Sequence, residues 1–109
     1  MRPALRVMLC DDAGERFFGE GPCRLLHLIE ETGSAAQMGL SYSKALRLVQ
    51  HAEKELGFAL TCKTIGGRGG GGSTLTAEAR QFLERYEAYR DACVQTSREL
   101  YSAFFPGQR

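Results

Sequence analysis

The chain has 109 residues, a formal net charge of +1 and four cysteines. That length suits one domain with a modest core, and the near-neutral total excludes a protein that is basic throughout. No apolar run reaches the length of a membrane span, and the charged N-terminal stretch does not read as a signal peptide, so a cytoplasmic protein without membrane contact is expected.

Leu5, Val7 and Leu9 alternate with Arg6, Met8 and Cys10, the period of a half-buried strand. DDAG reads as a turn and ERFF as a short returning strand. GPCRLLHLIEETG reads as a helix with Pro22 at its first position, an apolar face of Leu25, Leu26 and Ile29, and Gly33 at its end. SAAQMG predicts a very short helix closed by Gly39. The next segment, SYSKALRLVQHAEKELG, is the most periodic. Ala45, Leu48, Val49, Ala52 and Leu56 share one helical face, while Lys44, Arg47, His51 and Lys54 fall on the opposite one. A serine can cap its start and Gly57 stops it. FALTCKTI is rich in strand formers, a glycine run follows around Arg68, and STLT reads as a short returning strand.

Thr76 has the chemistry of an N-cap, and the last helix is predicted from about Ala77 to Phe104. Phe82, Tyr86, Tyr89, Cys93, Thr96 and Leu100 recur along it at alternating steps of four and three. That is the seam of a coiled coil. A domain this small cannot cover so long a seam, so a partner is expected on the second half of the helix, most simply a second copy. The competing expectation is a helix that lies on its own core and frays after Tyr89.

The cysteines, Cys10, Cys23, Cys62 and Cys93, are scattered without a CxxC pair, which predicts reduced thiols. Cys23 and His27, four apart on a predicted helix, place two metal donors on one face. Two donors without a third do not make a site, so no metal and no cofactor are expected. Charge is uneven. Residues 11–31 carry six acids and two arginines, whereas residues 41–80 carry six Lys or Arg against three acids.

The glycine run admits three readings. As a phosphate loop of the GxxxxGK[ST] kind it fails, because Gly72 stands where the lysine belongs. As a linker it would join two patterned segments inside one small domain, and a loop without a binding role stays open. The third reading is the tip of a β-hairpin wing. The predicted order of helix, short helix, amphipathic helix, strand, glycine loop and strand is that of a winged helix-turn-helix. Glycine lets backbone approach phosphates closely, and Lys63 and Arg68 supply the charge.

At this point FFGEGPCRLLHLIEETGS, AAQMGLSYSKALRLV and KTIGGRGGGGSTLT, in this order and spacing, closely resemble the N-terminal DNA-binding domain of the ModE family of molybdate-responsive transcriptional regulators. The resemblance covers about residues 5–90. It implies a winged helix related to that of LysR-type regulators, mainly α with a small amount of β, in a homodimer on palindromic operator DNA. The implied contacts are Ser41, Tyr42, Ser43, Lys44 and Arg47 at the start of the recognition helix, and Lys63, Arg68, Ser73 and Thr74 on the wing. Residues 1–76 would form the DNA-binding unit, and residues 77–109 the dimerisation helix packed on it. The chain departs from the family pattern in a shorter segment between Gly33 and Gly39, and nothing in it matches the family's oxyanion pocket, so molybdate binding is not expected. No catalysis is expected either. Two rivals are a winged-helix protein-interaction module without DNA binding, and a regulator that senses metal or redox state through Cys23 and His27.

Overall fold

The computed structural model describes residues 1–33, 41–63 and 72–107, without the Tyr42 side chain. Among these residues the elements are β1 (Leu9–Cys10), β2 (Arg16–Phe18), α1 (Glu20–Thr32), α2 (Tyr42–Leu56), β3 (Thr61–Lys63), β4 (Ser73–Leu75) and α3 (Ala77–Phe104). The architecture is mainly helical, with two small antiparallel hairpins, β1–β2 and β3–β4. The short helix expected over residues 34–39 lies outside the described residues, as do Arg68 and most of the glycine run.

The first hairpin turns on Asp11. Its Oδ1 accepts from the backbone N–H groups of Ala13 and Glu15, both at 2.9 Å. Gly14 adopts the left-handed φ of +87° that closes the turn. Pairing covers Leu9 with Phe18 and Cys10 with Arg16, and there is a register shift between them. The predicted strand through Leu5 and Val7 is therefore shorter than its alternation suggested. The returning strand ends at Phe18, because Gly19 already caps α1, and no partner strand remains for the residues before Leu9.

Those earlier residues find another partner. The Tyr86 hydroxyl donates to the Val7 carbonyl at 2.7 Å, and the Tyr101 hydroxyl donates to the Met1 carbonyl at 2.9 Å. From Tyr86 to Tyr101 the helix rises about 22 Å, and an extended chain from Met1 to Val7 reaches about 21 Å. The N-terminal segment thus runs extended and antiparallel along α3.

Pro22 is the third residue of α1 rather than the first. The position is harmless, since the first intrahelical bond is the Cys23 N–H to the Gly19 carbonyl at 3.0 Å, and earlier N–H groups have no helical acceptor. The helix ends at Gly33, whose φ is +74° and whose N–H reaches the Ile29 carbonyl at 2.7 Å. The Gly33 carbonyl accepts in turn from the Ser73 N–H at 3.1 Å, which seats β4 on the end of α1.

Phe18, Leu25, Leu26 and Leu60 are the largest fully buried side chains, each stabilising the fold by about 1.5–3 kcal/mol relative to exposure. The predicted inner face of α2 buries Ala45, Val49 and Ala52, with Leu48 and Leu56 packed against the same core. From α3 come Ala79, Leu83 and Tyr86. Phe18 meets Phe82 and Tyr86 edge-on, with centroids 4.8 and 4.9 Å apart, a geometry that the opposed quadrupoles of ring face and ring edge favour. No described helix is long and apolar enough to cross a membrane.

Candidate nucleic-acid interface

α2 begins with a serine because its first N–H groups need an acceptor that the helix cannot supply. The Ser41 hydroxyl accepts from the Lys44 N–H at 3.2 Å. Ser41 therefore serves as the cap, one of the roles open to it in the sequence. One turn of helix then presents Ser43, Lys44 and Arg47 to solvent. The opposite stripe is buried, so the amphipathic pattern fixes which residues are left outside. The positive end of the helix dipole lies at this same end.

The second hairpin follows α2 directly. The Leu60 N–H donates to Glu53 Oε2 at 2.8 Å, and the Thr76 N–H donates to the Leu60 carbonyl at 3.0 Å. These bonds fix the hairpin's base against the helices on either side. In the hairpin Cys62 faces Thr74 across the ladder and Lys63 faces Ser73. Lys63 is exposed at the open end, while Ser73 and Thr74 are partly buried. That open end is held at the C-terminus of α1 by the Ser73–Gly33 bond.

Three ion pairs, Arg80–Glu30, Arg90–Glu87 and Arg90–Asp91, and a His27–Glu87 hydrogen bond occur among the described residues. None involves Lys44, Arg47 or Lys63. The sequence carries no acid from Thr32 to Ala52, nor from Leu56 to Ala77. The three cations form no ion pair among the described residues, and neither do Arg2, Arg6, Arg16, Arg24, Lys54, Arg85 and Arg98.

The predicted seam of α3 divides. Tyr86 is 3% exposed inside the chain's own core, and Phe82 packs against that core. Both therefore spend their apolar surface within the chain, which leaves Tyr86 almost none for a partner. From Tyr89 onward the residues differ. Tyr89 is 55% and Leu100 54% exposed, Thr96 is exposed, and Cys93 is partly buried. Phe104 and Phe105 extend the exposed apolar surface.

Two features escaped the sequence reading. A groove of about 820 Å³ lies beside the N-terminal segment and the start of α1, with Arg6, Arg16, Arg24 and Arg90 among its walls and His51 reaching it from α2. Its arginines come from separate elements, so no local motif announces it. The second is Glu87, whose Oε1 lies 3.0 Å from His27 Nε2. It joins His27 and Cys23 in one cluster whose donor atoms all lie within 4.8 Å of one another. Burial pushes the Cys23 thiol up and Glu87 adds to the effect, while the Arg90 guanidinium beside it pulls the other way. Only Cys23 and His27 carry a sequence signal, through their i, i+4 spacing.

No protein-family model matches the chain, and no curated protein matches it in sequence.

Proposed function

We propose that this chain is a winged helix-turn-helix protein that binds double-stranded DNA as a homodimer and regulates transcription in the cytoplasm, as its resemblance to the ModE DNA-binding domain implies. The observation that carries the reading is where three of the exposed cations that form no ion pair among the described residues fall: Lys44 and Arg47 on the first turns of α2, and Lys63 at the open end of the hairpin that follows it. Cations left without local partners are suited to phosphates, because neutralising the duplex releases its condensed counterions. In this reading the start of α2 enters the major groove, with Arg47 or Lys44 toward base edges and Ser43 beside them. Lys63, Arg68, Ser73 and Thr74 lie along the backbone as a wing. The dimer forms through the stripe of Tyr89, Thr96 and Leu100, which are exposed, and the partly buried Cys93 between them. The protein acts by binding, not by catalysis.

Selection of bound sequences from random duplex DNA tests this directly. The expected product is a palindromic site whose half-sites are separated by about one helical turn. Binding to that site should weaken steeply with salt, and Arg68→Ala should reduce the slope of log K against log salt by about one. Absence of an enriched site, or binding indifferent to salt, would overturn this reading and favour a protein-interaction module.

A further inference from the structure

We propose that Cys23, His27 and Glu87 form a three-ligand site for a zinc-class divalent cation, with a fourth position open to solvent. It is independent of DNA binding. Cys23 and His27 lie one helical turn apart on α1, and Glu87 is brought to them by the packing of α3. Sulfur, imidazole nitrogen and carboxylate oxygen are the three donor types that zinc accepts, and three protein ligands plus water is the usual form of an open zinc site.

The geometry is close to what the ion requires. Bonds of about 2.0–2.3 Å in a tetrahedron put donor atoms roughly 3.3–3.8 Å apart. The His27 Nε2 to Glu87 Oε1 separation is 3.0 Å, and all three donors fall within 4.8 Å of one another. A small opening of the His–Glu pair and a rotation of the thiol are enough. His27 and Glu87 are partly exposed and Cys23 is 4% exposed, so the ion enters from the solvent side and its thiolate bond is sheltered.

Charge around the cluster has both signs. Glu87 and Glu20 press the Cys23 thiol toward its neutral form, and the Arg90 guanidinium opposes them. A bound cation would take over that second role far more strongly, since a coordinated thiol gives up its proton to solvent as the metal–sulfur bond forms. Arg90 stands at the edge of the site, hydrogen-bonded to the Cys23 thiol and 3.7 Å from Glu87 Oε2, and it would turn to its closer partner, Asp91 at 3.0 Å, as the ion binds. The ion would staple α1 to α3 near Arg90, where the helix passes from its buried half to its exposed one.

Cobalt(II) substitutes for zinc and reports its ligands by colour. In a Cys10→Ser, Cys62→Ser background, which removes the two exposed thiols, one equivalent of cobalt should give a thiolate charge-transfer band and the intense visible bands of a four-coordinate ion. Cys23→Ser should abolish the charge-transfer band. His27→Ala and Glu87→Gln, both at partly exposed positions that leave the core intact, should each weaken zinc binding by about tenfold or more in calorimetry. Zinc should also raise the unfolding midpoint of the parent protein and not that of His27→Ala. No charge-transfer band, a band that survives Cys23→Ser, or unchanged zinc affinity in His27→Ala and Glu87→Gln would each overturn the site. None of these measurements involves DNA, so their outcome is separate from that of the selection experiment.

Discussion

At the scale of single residues, Thr76 joins two elements through one hydroxyl. Its hydroxyl accepts from the Ala79 N–H at 3.0 Å, capping α3, and donates to the Ala59 carbonyl at 2.6 Å, holding the approach to β3. Thr76→Ala removes both bonds. Loss of a cap costs about 1 kcal/mol, and leaving a carbonyl without its donor adds about 1 kcal/mol. The expected thermal midpoint is lower by roughly 8–16 °C for a domain of this size, read by calorimetry or circular dichroism. Thr76→Ser should recover most of the loss. The cysteines make a second test. Cys10 and Cys62 are exposed, whereas Cys23 is buried and its thiol is pushed up by that burial. A short pulse of an alkylating reagent on the metal-free native protein should label Cys10 and Cys62 first. Cys23 should label only as the chain unfolds, which mass spectrometry of the peptides would resolve.

At the scale of elements, the N-terminal segment and α3 depend on each other. Residues 1–8 have no strand partner, and two tyrosine hydroxyls of α3 satisfy carbonyls at either end of the segment. Tyr86→Phe keeps the ring against Phe18 and deletes only the donor to Val7. The expected cost is about 1 kcal/mol. Trypsin cleavage after Arg6 should become faster while α1 and α2 stay protected. If the cleavage rate does not change, the segment is held by something other than this bond. A core substitution in the same helix should behave differently. Leu83→Ala, at a position 4% exposed, should destabilise the whole unit by about 2–5 kcal/mol, since the neighbouring side chains refill the space only in part.

At the scale of the whole molecule, the question is what α3 does from Tyr89 onward. Tyr89, Leu100 and Phe104, with Phe105 just past the helix end, present apolar surface on a helix whose first half is already buried in the core. In the proposed dimer this surface meets its copy, so Leu100→Glu should leave the fold intact and shift the protein to monomer in sedimentation equilibrium. Affinity for a palindromic duplex should fall with it, while affinity for a single half-site should change little. A protein that is monomeric before the substitution would sink the twofold reading and leave DNA contact to one copy.

Much of this molecule was readable from local pattern. Period and caps are local properties, so the sequence alone determined the helical extents of α2 and α3, a serine cap on α2, the cap at Thr76, the stops at Gly33 and Gly57, and the buried stripe of Ala45, Val49 and Ala52, while the structure chose Ser41 as the serine. It also determined which cations α2 leaves outside, because an amphipathic helix with one face buried has no other choice. What it did not determine were relations between residues far apart in the chain. A heptad step assigns Tyr86 and Leu100 to one seam, yet only tertiary packing decides that the first is closed over by Phe18 and Val7 while the second stays open. The alternation through Leu5 and Val7 promises a strand, but a strand needs a neighbour, and the neighbour ends at Phe18. Glu87 has no feature of its own to set it apart from the other acids of α3. It joins His27, sixty positions earlier, only because α1 and α3 share a core. Sequence fixes what each segment wants to bury; which surfaces end up facing each other is settled by the one arrangement that buries them together.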